Sequence, residues 1–173
     1  MRMAPLPNPP HKGEGIPPVL IAMPRCKILL PDLAATERLA ARIAPLLKKG
    51  DVATLAGPLG AGKTTFARAL LRALGVDEAV PSPTFTLVQV YEMPAFPVYH
   101  FDLYRLKTPG ELDEIGWDEA PGEGAVLAEW PERAGGRLPR DCLALRFAFD
   151  DKNRRSVMVE PQGDWARRME DFQ

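Results

Sequence analysis

Gly57-Pro58-Leu59-Gly60-Ala61-Gly62-Lys63-Thr64 satisfies every fixed position of G-x-x-x-x-G-K-[S/T], and no other stretch of the 173 residues constrains the fold as strongly. Glycines at 57, 60 and 62 let the backbone wrap so that successive N–H groups converge at the start of a helix, an anion nest suited to phosphates. Such a loop has to lie between a strand and a helix, and its flanks comply. Val52–Ala56 is a compact apolar run that reads as a buried strand, and Thr64–Leu74 is an Ala-, Leu- and Arg-rich helix ending at Gly75. In that setting Lys63 reaches the β- and γ-phosphates, the Thr64 hydroxyl joins a Mg²⁺ shell, and the N–H of Thr65 suits the α-phosphate.

The remaining pattern extends this unit into an α/β sheet. Strands are expected at Cys26–Leu30, Phe85–Tyr91, Val98–Tyr104 and Ala125–Glu129, with a hairpin of Cys142–Phe149 and Ser156–Glu160 around Asp150-Asp151-Lys152-Asn153. Helical spacing covers Leu33–Lys48, an acidic stretch from Pro109 to Glu119, and the chain from about Asp164 onward. The expected fold is therefore a P-loop NTPase: a mostly parallel central sheet with antiparallel edge strands and helices on both faces.

Composition matters at three points. Seven of the 19 prolines fall in the first 24 residues, which excludes a continuous helix or a central strand there. Residues 1–24 are expected to be a disordered proline-rich tail, with a proline-motif ligand or a misplaced translation start near Met23 as alternatives; residues 25–173 form the domain. A net charge of -1 argues against a chain built to grip a polyanion non-specifically, and no run of about 18 apolar residues offers a membrane helix. Cys26 and Cys142, with no CxxC, read as thiols of a reducing cytoplasmic compartment.

A second carboxylate is needed to hold the metal or its water, and two candidates close strands: Asp102 after Val98-Tyr99-His100-Phe101, and Glu129 after Ala125-Val126-Leu127-Ala128. Residue spacing alone does not separate them. His100 reads as a structural histidine. Ser82-Pro83-Thr84, stiffened by prolines, is either a switch that holds Thr84 toward the γ-phosphate or a rigid turn into the next strand. Six acids and no base lie between residues 111 and 123. They form a solvated helix face, or a rim around an interface anchored by Ile115 and Trp117.

Taken together, Gly57–Thr65 (GPLGAGKTT), Ser82–Val88 (SPTFTLV), Tyr99–Arg105 (YHFDLYR) and Glu129-Trp130-Pro131 resemble the TsaE (YjeE) family over roughly Leu30 to Val159. The resemblance implies an ATP-hydrolysing subunit required for threonylcarbamoyl modification of adenosine 37 in ANN-decoding tRNAs, working on the partner proteins TsaB and TsaD. It implies that Gly60, Ala61, Gly62, Lys63, Thr64 and Thr65 hold ATP, that Thr64 and Glu129 bind Mg²⁺, and that Asp102, beside the γ-phosphate, supports hydrolysis with Glu129 and Lys63. Thr84 resembles the family's switch threonine, Trp130 stands beside the site, and Arg154 in the hairpin matches a nucleotide-contacting arginine. Pro58 departs from the pattern, standing where an aspartate is common. Lys152-Arg154-Arg155 and Arg167-Arg168 either solubilise the surface or touch tRNA phosphates. A small-molecule kinase and a nucleotide-gated binding module with little turnover are the rival readings. About 150 residues suffice for a minimal P-loop domain, so the object of an ATPase of this size is expected to be another protein.

Overall fold

Val52, Ala53, Thr54 and Leu55 are all buried, which requires strands on both sides and cover on both faces. The computed structural model describes residues 25–173 except Glu78, Asp151, Asp171 and Gln173; the expectation for residues 1–24 lies outside the described residues. Its elements run β1 (Cys26–Leu30), α1 (Leu33–Ile43), β2 (Val52–Ala56), α2 (Lys63–Ala73), β3 (Val88–Tyr91), β4 (Val98–Asp102), α3 (Ala120–Glu123), β5 (Ala125–Glu129), β6 (Leu143–Phe149), β7 (Arg155–Pro161) and α4 (Asp164–Arg168). The seven strands form one sheet in the order β1-β7-β6-β2-β5-β4-β3. Its centre, β6-β2-β5-β4, is parallel, and the flanking β1/β7, β7/β6 and β4/β3 pairings are antiparallel.

Because strand side chains alternate between faces, the same strands feed two cores. Ala53, Leu55, Ala125, Leu127 and Val98 point to a core shared with Leu39 and Ile43 of α1, Phe66 and Leu70 of α2, and Trp165 of α4. Val52, Phe101, Val126 and Ala128 point the other way, to Leu103, Leu112, Trp117 and Ala134. Helices thus lie on both faces but unequally: the two eleven-residue helices share one face, while the other is covered by α3 and 3₁₀ turns. Asp32 starts α1 by accepting the Ala35 N–H at 2.7 Å.

Three expectations are corrected here. The strand expected from Phe85 begins only at Val88, because Pro83–Leu87 closes a turn (Leu87 N–H to Pro83 O, 2.7 Å) and Leu87 takes φ 63°. The strand expected to reach Tyr104 stops at Asp102, whose carboxylate accepts the Tyr104 N–H at 3.1 Å and starts the 3₁₀ turn Leu103–Arg105. The acidic stretch is not one helix: a Thr108–Glu111 capping box opens a 3₁₀ turn over Pro109–Ile115, which left-handed Gly116 (φ 72°) ends. Just beyond Gly116, Trp117 is buried, edge-on to Phe101 at 5.1 Å, so it anchors the second core rather than an interface. Arg137 takes up two of the acids, Asp113 and Asp118.

Candidate active site

The loop after β2 is pressed against a neighbouring strand. A Cβ on Gly57 (φ 134°) would stand 2.2 Å from the Phe147 carbonyl oxygen of β6, so only glycine fits there. Gly62, at φ 108°, precedes the first residue of α2 and provides no side-chain cap. The N–H groups of the first turn are therefore left without a side-chain acceptor, facing the cleft where an anion would meet them.

Lys63 is 4% exposed. Its ammonium donates to the loop's own carbonyls, Gly57 O at 2.7 Å and Pro58 O at 2.9 Å, and lies 3.8 Å from the centre of the Trp130 ring. Burial holds its pKa below that of an ordinary lysine, an effect partly opposed by Glu129, Glu132 and Asp102. Pro58, which departs from the family pattern, thus contributes its carbonyl.

Asp102 and Glu129 end adjacent parallel strands in register with one another, which brings both carboxylates to the mouth of α2. Both are buried, and each is held by a different hydroxyl. Thr64 Oγ1 donates to Glu129 Oε2 at 2.8 Å, and Thr84 Oγ1 donates to Asp102 Oδ2 at 2.6 Å. Ser82 Oγ is 2.7 Å from Thr84 Oγ1 and 3.5 Å from Asp102 Oδ2. The other oxygen of Glu129 meets His100 Nε2 at 3.0 Å, deep in the sheet. Thr64 hydroxyl and Glu129 carboxylate are hard oxygen donors. No group of three or more His, Cys, Asp or Glu able to hold a metal occurs among the described residues. That donor set fits Mg²⁺, which takes one or two carboxylates and leaves the rest of its shell to water and phosphate.

Gly60, Gly62, Lys63, Thr64, Thr65, Thr84, Asp102 and Glu129 line one cleft of about 340 Å³, with Trp130 beside them. Ala61 is fully buried within the loop, does not line this cleft, and donates its N–H to Pro58 O at 3.3 Å. The structure does not bring Arg154 to this cleft: its N–H and guanidinium are taken up by Asp150 at 2.7–2.8 Å. Its neighbour Arg155 points the other way, with Nε 3.3 Å from Gly60 O, and lines a smaller hollow with Gly62 and Thr65. Arg154 belongs to the turn that Asp150 ties, whereas Arg155 is the first residue of β7, paired with Phe149 of β6, and that hairpin register is the signal that finds Arg155. Ser82 and His100 were also passed over. His100 is two residues from Asp102 on one strand, hence on the same face, and that period carries the information.

Comparison with known proteins gives one answer. The family described as Threonylcarbamoyl adenosine biosynthesis protein TsaE matches residues 30–157. The tRNA threonylcarbamoyladenosine biosynthesis protein TsaE of Aquifex aeolicus is 42% identical over 135 residues, 77% of this chain and 94% of its own. The Bacillus subtilis protein of the same name is 40% identical over 120 residues, 68% of this chain and 75% of its own. The crystal structure of Bacillus subtilis YdiB superposes with a TM-score of 0.73 at 30% identity, covering 86% of this chain and 93% of that one.

Proposed function

The chain belongs to the TsaE family of tRNA threonylcarbamoyladenosine biosynthesis, and from that premise we propose that it is a Mg²⁺-dependent ATPase acting on TsaB and TsaD. The observation that carries this reading is the convergence of two hydroxyl–carboxylate pairs, Thr64–Glu129 and Thr84–Asp102, at the head of the P-loop helix. Phosphate binding falls to the loop N–H groups, with Gly60, Gly62, Thr64 and Thr65 contributing backbone. Lys63 is already charged and desolvated. It exchanges two neutral carbonyl partners for charged phosphate oxygens, and those carbonyls keep it ordered beside the loop until then.

Thr64 and Glu129 would hold Mg²⁺, which when bound supplies positive charge to the phosphate oxygens as the terminal bond breaks. Asp102 is the remaining carboxylate of the cleft, and its role is to orient the attacking water and accept its proton. Thr84 stands between Asp102 and the space before the loop. A hydroxyl that can leave Asp102 for the γ-phosphate makes that carboxylate available when nucleotide arrives, which is how a switch threonine reports occupancy. Trp130, at φ 59° directly after Glu129, folds its ring over Lys63 and against Tyr104 at 4.8 Å, shielding this charge from water.

Turnover here serves another protein, the TsaB–TsaD pair that modifies adenosine 37, with tRNA reached through that complex. A cytoplasmic setting is supported by the free thiols Cys26 and Cys142, and no helix among the described residues is long and apolar enough to cross a membrane. Phosphate release with and without TsaB and TsaD tests the proposal. Stimulation by the partners supports it, whereas phosphate transfer to a small acceptor identifies a kinase. Tight nucleotide binding with no phosphate release under either condition identifies a gated binding module.

A further inference from the structure

His100 is completely buried in the middle of β4, between Gln89 of β3 and Leu127 of β5. A polar ring at that depth is costly unless its nitrogens are paired, and only one is. Nε2 lies 3.0 Å from Glu129 Oε1, while Nδ1 is buried with no hydrogen-bond partner among the described residues. A carboxylate oxygen can only accept, so the proton belongs on Nε2; placing it on Nδ1 would bury an unpaired donor and set two acceptors against each other.

That arrangement does something specific to Glu129. A free carboxylate at a strand end rotates about its last torsion and presents either oxygen, or both, to a neighbour. Here Oε1 is fixed from below by a donor on a rigid central strand, which leaves Oε2 as the oxygen that meets Thr64 at 2.8 Å. We propose that His100 is a positioning residue: its Nε2–H clamps one oxygen of Glu129 so that the other is aimed, with Thr64, at the position of the nucleotide-bound cation. The inference rests on the Mg²⁺–nucleotide reading of the cleft. It follows the general behaviour of groups that orient a metal-binding side chain from behind, whose loss costs about 10–100-fold in metal affinity or activity.

The test replaces His100 by Leu, which fills the space without a donor, and by Gln, whose amide nitrogen reaches about as far as Nε2. Binding of a non-hydrolysable ATP analogue to the full chain is followed by calorimetry as Mg²⁺ is titrated. His100→Leu is expected to raise the Mg²⁺ concentration at half-effect by about 10–100-fold while metal-free analogue binding stays as in the wild type, and His100→Gln is expected to restore most of the loss. Identical Mg²⁺ dependence in wild type and His100→Leu, with only a lowered melting temperature, overturns the proposal. So does a Gln variant as impaired as Leu. Nitrogen-15 ring correlations of the nucleotide-free wild type give a second readout should His100→Leu fail to fold. A proton on Nε2 whose shift moves in Glu129→Gln supports the clamp, and a proton on Nδ1 overturns it. Analogue binding that ignores Mg²⁺ in the wild type contradicts the functional reading instead, and the ring correlations still decide the His100–Glu129 contact.

Discussion

Thr64 and Glu129, 65 residues apart, share a 2.8 Å hydrogen bond at the point where α2 begins and β5 ends. The pairing joins the P-loop helix to the strand beside β2, so the pair proposed to hold the cation is already assembled. Glu129→Gln keeps the shape and one acceptor but removes the charge. At saturating Mg²⁺ it is expected to leave ATP affinity within a few fold and to lower turnover by about 10²-fold or more, the pattern of an interaction made mainly in the transition state. Phosphate release and calorimetry on the same preparation check this.

Lys63 yields a pH prediction. Burial depresses its pKa below the ordinary 10.5, so the ligand-free protein loses this proton earlier than a surface lysine does as pH rises. Phosphates favour the charged form. ATP affinity should therefore fall as pH climbs through the ligand-free pKa, with proton uptake on binding in that window, and be flat at lower pH where the ammonium is intact in both states. Calorimetry in two buffers of different ionisation enthalpy measures the uptake; Lys63→Ala should show none and bind no ATP.

The Thr84–Asp102 contact predicts separable effects. Thr84→Val removes the 2.6 Å donor while preserving shape, and Asp102→Asn preserves size while removing the carboxylate proposed as base. Both should retain nucleotide binding, and Asp102→Asn should lose turnover by about 10²-fold or more. Full activity in Asp102→Asn would assign the base to another group.

Two glycines of the same loop should respond differently to alanine. Gly57→Ala drives a methyl to 2.2 Å from Phe147 O and is expected to cost about 3 kcal/mol or more, because backbone must move on both strands. Gly60→Ala meets nothing within 4 Å and bears only the strain of its φ of 78°, about 1–2 kcal/mol. Urea denaturation of the two variants orders them.

Trp117→Ala tests the corrected reading of the acidic stretch. A ring that is 3% exposed and edge-on to Phe101 should cost about 3–5 kcal/mol when truncated. Unchanged stability with weakened partner binding would return Trp117 to an interface.

The strand–loop–helix unit was legible because its determinants are contiguous: three glycines, a lysine and a threonine act on the eight residues from Gly57 to Thr64. Asp102 and Glu129 were legible as strand-end acids, and their register beside α2 matches the α/β frame. What was lost depended on which way a side chain faces. Arg154 lies in the hairpin turn and Arg155 opens β7, and only the pairing of Arg155 with Phe149 of β6 tells which one turns to Gly60. Trp117 was hidden by its acidic neighbours, since a run of charges looks solvated until Arg137, twenty residues on, is seen to neutralise two of them. His100 reads from the sequence as a structural histidine, and its burial is what sets Nε2 3.0 Å from Glu129 Oε1.

Phosphate release by the chain reconstituted with TsaB and TsaD, compared between wild type and Glu129→Gln, tests the central claim most directly. The account predicts Mg²⁺-dependent release that the partners stimulate and that, at saturating Mg²⁺, Glu129→Gln lowers by about 10²-fold with ATP affinity within a few fold of wild type. Release that is insensitive to Mg²⁺, or equal in the two proteins, would contradict it.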